Sequence, residues 1–215
     1  MKWILLGLLF ILCFVIWLVL SNKPSKRVYN GKEAEAKERG KQGEKKVRAA
    51  IGETQEGFKY VLNDYILDIP TEVGTTQIDH IVINSYGVFV IETKNYSGKI
   101  VGKDDEEVWH QYLCKGKLCY NLNNPVKQNE NHIRHLTNVL PYGTRIYSVV
   151  VFVKNNTKYI ESKYVYNLRD IDRALIKDKP RYKWRQISKF GKILEDNRSF
   201  ATSSEHTENI KKVEN

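Results

Sequence analysis

The segment from Thr75 to Ile100, TTQIDHIVINSYGVFVIETKNYSGKI, constrains the fold more than any other part of the chain. It contains two apolar runs, QIDHIVIN and GVFVIETKN, separated by a composition typical of a tight turn. The pattern therefore predicts a β-hairpin. Side chains alternate between the two faces of a strand, and both faces of VFVIETK begin apolar, so the second strand should lie in the centre of a sheet.

Three charged residues occur where such a buried hairpin should carry apolar side chains. They are Asp79 on the first strand and Glu92 and Lys94 near the end of the second. The alternation places Glu92 and Lys94 on the same face as Val88 and Val90. Burying these charges without a partner would cost free energy. A salt bridge at the strand end would offset that cost, and so would a bound cation.

The position of Asp79 relative to Glu92 depends on the length of the turn. A two-residue loop places Asp79 directly across from Glu92 on the same face. A three-residue loop with a bulge at Gly87 shifts the register by one residue and places His80 there instead. The sequence leaves both registers open, and in either one the two carboxylates end within one residue of each other.

Two carboxylates this close suit a divalent cation. The side chains of Asp79 and Glu92, the backbone carbonyl of Thr93 and water would give the hard-oxygen coordination that Mg²⁺ or Mn²⁺ accepts. Such a metal lowers the pKa of a bound water and neutralises charge that develops on phosphorus. Lys94 can then position the water or stabilise the transition state. The cluster therefore favours metal-assisted hydrolysis of a phosphodiester.

Glu44 also departs from the usual distribution of charge. In GKQGEKKVRAAI it precedes Val47 by three residues and Ile51 by seven, so helical spacing places its carboxylate on the buried face. The neighbouring basic residues follow the usual rule and fall on the solvated face. These are Lys45, Lys46 and Arg48.

Four motifs in a fixed order resemble the NERD domain, the nuclease-related domain of bacterial proteins. They are GKQGEKKV, the hairpin segment, Trp109 and NPVKQNENHI, and the resemblance covers roughly Lys37 to Val153. It implies a PD-(D/E)xK, restriction-endonuclease-like fold. The chain departs from the broader pattern because Ile78 replaces the proline before the aspartate and Thr93 replaces an apolar residue, but neither change removes a functional group.

The resemblance also implies roles for individual residues. Asp79 and Glu92 would be the metal ligands, and Lys94 would be the catalytic lysine. Glu44 would be an accessory acid on a helix. Gln128 matches the position where related nuclease folds place a residue that contacts the substrate or the catalytic centre.

The N-terminal run from Trp3 to Leu20 contains no charged residue and no proline. As a helix it would reach roughly 27 Å, close to the hydrocarbon thickness of a bilayer. A cleaved signal peptide is the alternative, but the segment LVLSNKPSK offers no small-x-small cleavage site. We therefore expect a transmembrane anchor, with the lipid bilayer as a partner through Trp3–Leu20.

The flanking charges indicate the orientation of this anchor. Lys2 precedes the run, whereas basic residues are frequent after it, so the positive-inside rule places the soluble body in the cytoplasm of a bacterial cell, at its membrane. A secreted domain of this size would need more than Cys114 and Cys119 for stabilisation by disulfide bonds, so both are expected to be reduced thiols. The basic residues after the run are Lys23, Lys26, Arg27, Lys32, Lys37, Arg39 and Lys41.

The order of the remaining elements predicts an α/β (α+β) fold, a mixed β-sheet flanked by helices. Asn124 and Pro125 are typical of the N-cap and first turn of a helix over PVKQNENHIRHLTNVL. On that helix, His132 and His135 are interpreted as part of a polar face. The expected organisation is a transmembrane anchor at residues 1–22, a basic linker at 23–36, a nuclease-like domain at 37–154, a C-terminal strand and helix extension at 155–194, and a polar flexible tail at 195–215.

The net charge of +10 favours a polyanionic partner, either nucleic acid or an anionic membrane surface. Lysines and tyrosines interleave on the hairpins after the second strand, a pattern that suits nucleic-acid binding but also ordinary solvated hairpin tips. We expect a membrane-anchored, Mg²⁺- or Mn²⁺-dependent nuclease acting on DNA or RNA. The alternatives are a non-catalytic module that binds nucleic acid or protein at the membrane, and a basic body that binds anionic lipid. The interleaved residues are Lys99, Lys103, Lys115, Lys117, Tyr96, Tyr112 and Tyr120.

Overall fold

The computed structural model describes the backbone of residues 26–214 and the side chains of residues 34–213. The chain divides into two compact units, Met1–Arg39 and Gly40–Asn215. The described part of the first unit is helical, and Arg39 lies 3.8 Å from Glu35 one turn earlier. The expected anchor at Trp3–Leu20 lies outside the described residues. Within the described part of the chain, every helix is too short or too polar to cross a bilayer.

The described residues form five α-helices and nine β-strands, with short 3₁₀ turns at Cys114–Gly116 and Leu168–Asp170. The helices are α1 (Lys26–Ile51), α2 (Pro125–Thr137), α3 (Ile171–Ala174), α4 (Trp184–Asp196) and α5 (Ser203–Glu214). The strands are β1 (Lys59–Asp68), β2 (Thr75–Asn84), β3 (Gly87–Lys94), β4 (Lys99–Lys103), β5 (Val108–Leu113), β6 (Leu118–Asn123), β7 (Ile146–Phe152), β8 (Tyr159–Glu161) and β9 (Val165–Asn167).

The strands form two mixed sheets, where the sequence predicted one. The first has the order β1-β2-β3-β7-β9, with antiparallel pairing from β1 to β3 and parallel pairing from β3 to β9. The second has the order β6-β5-β4-β8 and ends in a parallel pair. The core of the second sheet is the local antiparallel set β4, β5 and β6, and β8 joins its edge from a distant part of the sequence by pairing with β4. The mixed α/β class and the central place of β3 are confirmed.

Helices cover both faces of the five-stranded sheet. On one face, α1 and α3 pack against Phe89 and Ile91 of β3. On the other face, α2 and α4 pack against Val88 and Val90. Each fully buried aliphatic side chain contributes roughly 1.5–3 kcal/mol. The two-residue alternation of β3 therefore inserts its side chains into two separate cores, as the sequence predicted.

The β2–β3 hairpin closes with a two-residue loop. Asn84 pairs with Gly87 and His80 pairs with Ile91, so the next position along the strands places Asp79 across from Glu92. The bulged, three-residue alternative does not occur. Because His80 lies opposite Ile91, its side chain shares the face that α1 covers rather than the face of Glu92.

A segment after α3 holds this turn in place. The Asn84 side-chain amide donates to the backbone carbonyl of Leu175 at 2.8 Å. The backbone N–H groups of Arg181 and Tyr182 both donate to the carbonyl of Ser85, at 2.6 and 2.9 Å. The backbone N–H of Tyr86 donates to the Asn84 side chain at 2.9 Å. Residues far along the chain thus fix the geometry of the hairpin.

Trp109 joins the second sheet to the first. Its side chain is completely buried and stacks on Phe152 of β7 with the ring centroids 6.4 Å apart. The indole N–H donates to the carbonyl of Lys103 at 2.8 Å. A Cβ atom at Gly102 would lie 2.2 Å from the indole ring, so only glycine fits beside it. Trp109 is therefore a core aromatic residue.

The C-terminal segment, expected from its composition to be a flexible tail from Glu195, contains the end of α4 and all of α5. The backbone N–H of Ser199 donates to the carbonyl of Ile66 at 2.8 Å. The imidazole of His206 lies 2.7 Å from the hydroxyl of Thr75 at the start of β2. These contacts to the first sheet come from single side chains and backbone groups, which average composition does not reveal.

Candidate active site

The charged residues of the hairpin meet at the end of β3. The Lys94 ammonium donates to Glu92 Oε1 at 2.6 Å and to Gln128 Oε1 at 2.9 Å. The Asp79 carboxylate accepts a hydrogen bond from the backbone N–H of Thr93 at 2.7 Å. The structure therefore brings the predicted hairpin residues and Gln128 of α2 into one cluster.

Two asparagines fix the helix that carries Gln128. Asn124 caps α2 by accepting from the backbone N–H of Val126 at 2.8 Å, and its amide donates to three backbone carbonyls of the β4–β5 loop. Asn129 is fully buried and donates to the carbonyl of Val90 at 2.8 Å. Helix α2 is thereby tied to both sheets, which holds Gln128 beside Lys94.

Helix α1 brings Glu44 to the same end of the sheet. Val47 and Ile51 are buried and Glu44 is half-buried, as its helical spacing predicted. Burial raises the pKa of Glu44, and the negative charges of Asp64 and Glu92 raise it further. A Cβ atom at the preceding residue, Gly43, would lie 2.8 Å from Cβ of Asn95 and 3.4 Å from Cγ2 of Thr93, so this part of α1 lies against the end of β3 where the acidic cluster is.

The acids of this cluster influence one another strongly. Burial and the Glu92 carboxylate raise the pKa of Asp79 well above its ordinary value. Burial also favours the neutral form of Glu92, but the Lys94 ammonium and the His132 ring outweigh it and hold the pKa of Glu92 below its ordinary value. Burial opposes the charge on Lys94, yet Glu92 holds the pKa of that ammonium above its ordinary value. The carboxyl groups of the site therefore outnumber the ammonium of Lys94 that balances their negative charge.

His132 is a member of the site that the sequence interpretation missed. Its Nε2 atom lies 3.5 Å from Glu92 Oε2, and its Nδ1 atom lies 2.8 Å from the hydroxyl of Thr76. The side chain is only 7% exposed, so the interpretation of His132 as part of a solvated polar face was wrong. Its position four residues after Gln128 was the available signal, since residues at that spacing share one face of a helix.

Asp64 is a second residue that the sequence interpretation missed. Asn63 pairs with His80 and Tyr65 pairs with Ile78, so Asp64 occupies the register position opposite Asp79. Its backbone is in the left-handed region, with φ of 49°. The available signal was the polar pair Asn-Asp inside the otherwise apolar strand VLNDYIL.

His80 does not join the acidic cluster. Its Nδ1 atom lies 2.7 Å from the side-chain oxygen of Asn63, and the ring is 2% exposed. Burial, helped by the charge of Arg48, lowers the pKa of His80 to about 4, so the ring is neutral at physiological pH. His80 is thus a buried strand histidine that forms a hydrogen bond with the neighbouring strand.

Comparison with known proteins identifies the family. Residues 39–153 match the family model for the nuclease-related domain, which is more than half of the chain. The chain belongs to the NERD family. An uncharacterized protein of Bacillus anthracis is 32% identical over 150 residues, which cover 67% of this chain and 69% of that protein. No solved structure matches this NERD protein.

The chemistry of the NERD site fits a hard divalent cation. Among the residues whose side chains are described, no three His, Cys, Asp or Glu side chains are grouped so as to hold a metal. The predicted ligands remain the two carboxylates of Asp79 and Glu92 with the backbone carbonyl of Thr93. All three donors are oxygens, and the raised pKa of Asp79 shows a carboxyl group that added positive charge would stabilise in its ionised form.

Replacing Gly43 by alanine should destabilise the NERD domain by about 1–3 kcal/mol. A Cβ atom at this position would lie 2.8 Å from Cβ of Asn95, just beyond β3, so helix α1 would have to move away. Gly40 on the same helix is the matched control, because its nearest atom would lie 3.9 Å away. Gly40→Ala should stabilise by up to about 1 kcal/mol. Urea unfolding measures the stability of both variants. If Gly43→Ala leaves the free energy of unfolding unchanged, the packing of α1 does not depend on this close approach.

Replacing Asp79 by asparagine should stabilise the metal-free protein at neutral and higher pH. In the folded state Asp79 keeps its proton at pH values above its ordinary pKa of 3.8. The free energy of unfolding of the parent therefore falls as the pH rises through the raised pKa of Asp79. Asparagine does not ionise, and its side-chain oxygen can still accept the hydrogen bond from the backbone N–H of Thr93. We expect a gain on the order of 1 kcal/mol in thermal unfolding with EDTA at pH 8. The exposed Asp172, changed to asparagine, is the control, and equal pH slopes for parent and Asp79→Asn would contradict the assignment.

Proposed function

We propose that this NERD protein is a membrane-anchored, divalent-metal-dependent nuclease that hydrolyses phosphodiester bonds of DNA or RNA. The observation that carries the proposal is the Lys94 ammonium held between Glu92 and Gln128, with Asp79 directly across the hairpin from Glu92. Membership of the nuclease-related family supports it. Ionised groups at the end of a central, otherwise apolar strand have a high desolvation cost, which a chemical role would explain.

Asp79 and Glu92, with the backbone carbonyl of Thr93, are the groups we assign to Mg²⁺ or Mn²⁺. When bound, the metal supplies positive charge against the negative charge that develops on the phosphodiester. Glu92 is suited to this role because Lys94 and His132 keep it ionised. His132 also has a hydrogen bond to Thr76 at 2.8 Å, which orients the ring that faces Glu92.

Lys94 is the group we assign to the attacking water. An ammonium has three N–H donors, and contacts to Glu92 and Gln128 engage two of them. The third donor can hold a water or a phosphate oxygen, and the raised pKa keeps the donor charged. Gln128 acts as a positioning residue for Lys94, and Glu44 acts as an accessory acid beside the cluster.

The membrane anchor in this proposal is the apolar run Trp3–Leu20, with the NERD domain on the cytoplasmic side of a bacterial membrane. Its support is the sequence, namely the length of the run and the excess of lysine and arginine after it. Extraction of membranes from expressing cells at high pH tests this part. Release of the full chain into the soluble fraction would contradict it.

The catalytic part is tested with the full chain, purified in a mild detergent. Closed circular DNA, linear DNA and RNA are incubated with Mg²⁺, Mn²⁺ or EDTA. We expect cutting with either metal and none in EDTA, and cutting of the closed circle would identify an endonuclease. If no metal supports cutting and DNA is still retarded in a gel, the protein is the non-catalytic binding module instead.

A further inference from the structure

The four-stranded sheet has one face directed away from the core. Along β4, Ile100 and Gly102 are buried toward Trp109, whereas Lys99 and Lys103 are exposed on the opposite face. Strand register places Tyr112 beside Lys99 and Tyr159 beside Val101 on that outer face. We call Lys99, Tyr112 and Tyr159 the aromatic–lysine face.

In the aromatic–lysine face, the Lys99 ammonium lies near both aromatic rings. The Lys99 ammonium lies 4.3 Å from the ring centroid of Tyr159 and 5.7 Å from that of Tyr112. Lys158 adds a second ammonium 5.3 Å from the Tyr159 ring. Tyr159 is 47% exposed despite these neighbours, so a flat apolar surface remains open beside two positive charges. This combination of cations and exposed rings is what a strand with phosphates and bases requires.

A cleft of about 440 Å³ opens at the same end of the sheet. It is formed by the segments 97–99 and 112–116, so Lys99 and Tyr112 line the cleft as well as the face. Its two charged lining residues, Lys99 and Lys115, are both cations. Four acidic residues of this sheet lie in the β4–β5 turn, DDEE at residues 104–107, and a fifth, Glu161 of β8, pairs with Lys103 at 3.0 Å. The charge of the cleft is therefore complementary to a phosphate group.

The cleft is close to the candidate active site along the chain. Lys99 is five positions after Lys94 in the sequence, so their Cα atoms are at most about 18 Å apart. The side-chain amide of Asn156 donates to the carbonyls of Tyr96 and Gly98, at 3.1 and 2.8 Å, and so ties the β7–β8 loop to this connection. A strand of a few nucleotides can therefore reach from the catalytic lysine to the cleft.

We propose that the aromatic–lysine face and its cleft bind the substrate strand as single-stranded nucleic acid. A phosphate lies at Lys99 and Lys115, and bases stack on Tyr112 and Tyr159. Duplex nucleic acid keeps its base faces covered, whereas a single strand offers them to aromatic side chains. This inference rests on the proposed function in one respect, that the substrate is a nucleic acid, and it adds the form of the substrate and the surface that selects it.

The test is fluorescence anisotropy of a short labelled oligothymidine with the full chain in EDTA. Tyr159→Ala should weaken binding about 10-fold, since it removes a ring on which a base stacks. Tyr159→Phe keeps the ring and should retain most of the affinity. Lys99→Ala and Lys115→Ala should each reduce the slope of log K against log salt by about 0.7. The exposed Tyr142 and Lys192, changed to alanine, are the matched controls and should bind like the parent.

Several outcomes would overturn the inference. These are no binding of the oligothymidine, equal affinity for all the variants, equal affinity for duplex and single strand, and binding to anionic vesicles without binding to the oligonucleotide. Binding in EDTA requires no catalysis, so this test is separate from that of the nuclease. If the chain binds single strands through Tyr159 but never cuts them, the binding surface is supported and the catalytic proposal is contradicted. If the Tyr159→Ala variant cuts single strands with the same KM as the parent, the nuclease proposal is supported and the binding surface is contradicted.

Discussion

Glu92→Gln is expected to lower metal-dependent cleavage by a factor of roughly 10²–10³, the usual cost of removing one preorganised charged group from an active site. Glu92 is 3% exposed and stays ionised because Lys94 and His132 favour its charge. Glutamine has the same shape and still accepts a hydrogen bond from Lys94. It lacks the charge that a divalent cation requires, so the loss should appear in catalysis and in metal affinity together.

The measurement is the initial rate of cutting across a titration of Mn²⁺, with thermal unfolding recorded in EDTA. Glu130→Gln is the control, because Glu130 is an exposed acid on the same helix as Gln128. Full activity of Glu92→Gln at saturating metal would show that Glu92 is not a ligand. A large loss of stability in EDTA would show instead that the charge on Glu92 chiefly neutralises Lys94.

Trp109→Ala is expected to destabilise the protein by about 3–5 kcal/mol. The fully buried indole contacts Phe152, and its cluster also contains Ile100 of β4 and Val126 of α2. Alanine would leave a cavity where the two sheets and the helix carrying Gln128 meet. Phe152 pairs with Lys94 in the parallel β3–β7 ladder, so a shift of this cluster should also disturb the catalytic lysine.

Urea unfolding of full-length variants measures the effect. Phe200→Ala is the control, because the side chain of Phe200 is fully exposed and its loss should change the stability by less than about 0.5 kcal/mol. Trp109→Phe should fall between the two, since it keeps an aromatic ring but loses the hydrogen bond to Lys103. If Trp109→Ala unfolds at the urea concentration of the parent, the second sheet does not depend on this contact.

The hairpin and its charged residues were predictable because their signal is local. Alternation along VFVIETK set the faces of β3, and the charges stood out against an apolar background. Helical spacing placed Glu44 on the buried side for the same reason. Asp79, Glu92, Lys94 and Glu44 were therefore recognisable before their distances were known, whereas Gln128 was assigned through the family resemblance, and the catalytic roles stay predictions.

The features that the sequence did not provide depend on contacts between distant segments. The choice between Asp79 and His80 as the residue facing Glu92 required the turn length, which contacts from Leu175, Arg181 and Tyr182 support. The burial of His132 required Thr76 on a neighbouring strand. The parallel edge of the second sheet required β8 to pair with β4, more than fifty residues earlier. Local periodicity carries no information about any of these pairings.

The clamped turn has a consequence for how this family can vary. Hairpin loops usually tolerate insertions, because an added residue at a surface tip changes little beneath it. Here the tip at Ser85 and Tyr86 begins six residues after Asp79, about 20 Å along the strand. If the contacts from Leu175, Arg181 and Tyr182 keep the loop at two residues, one inserted residue would shift β2 against β3 by one position. His80 would then lie where Asp79 lies now, and the buried apolar pattern of β2 would face the wrong way. The length of this distant loop is therefore as much a requirement of the chemistry as the carboxylates themselves.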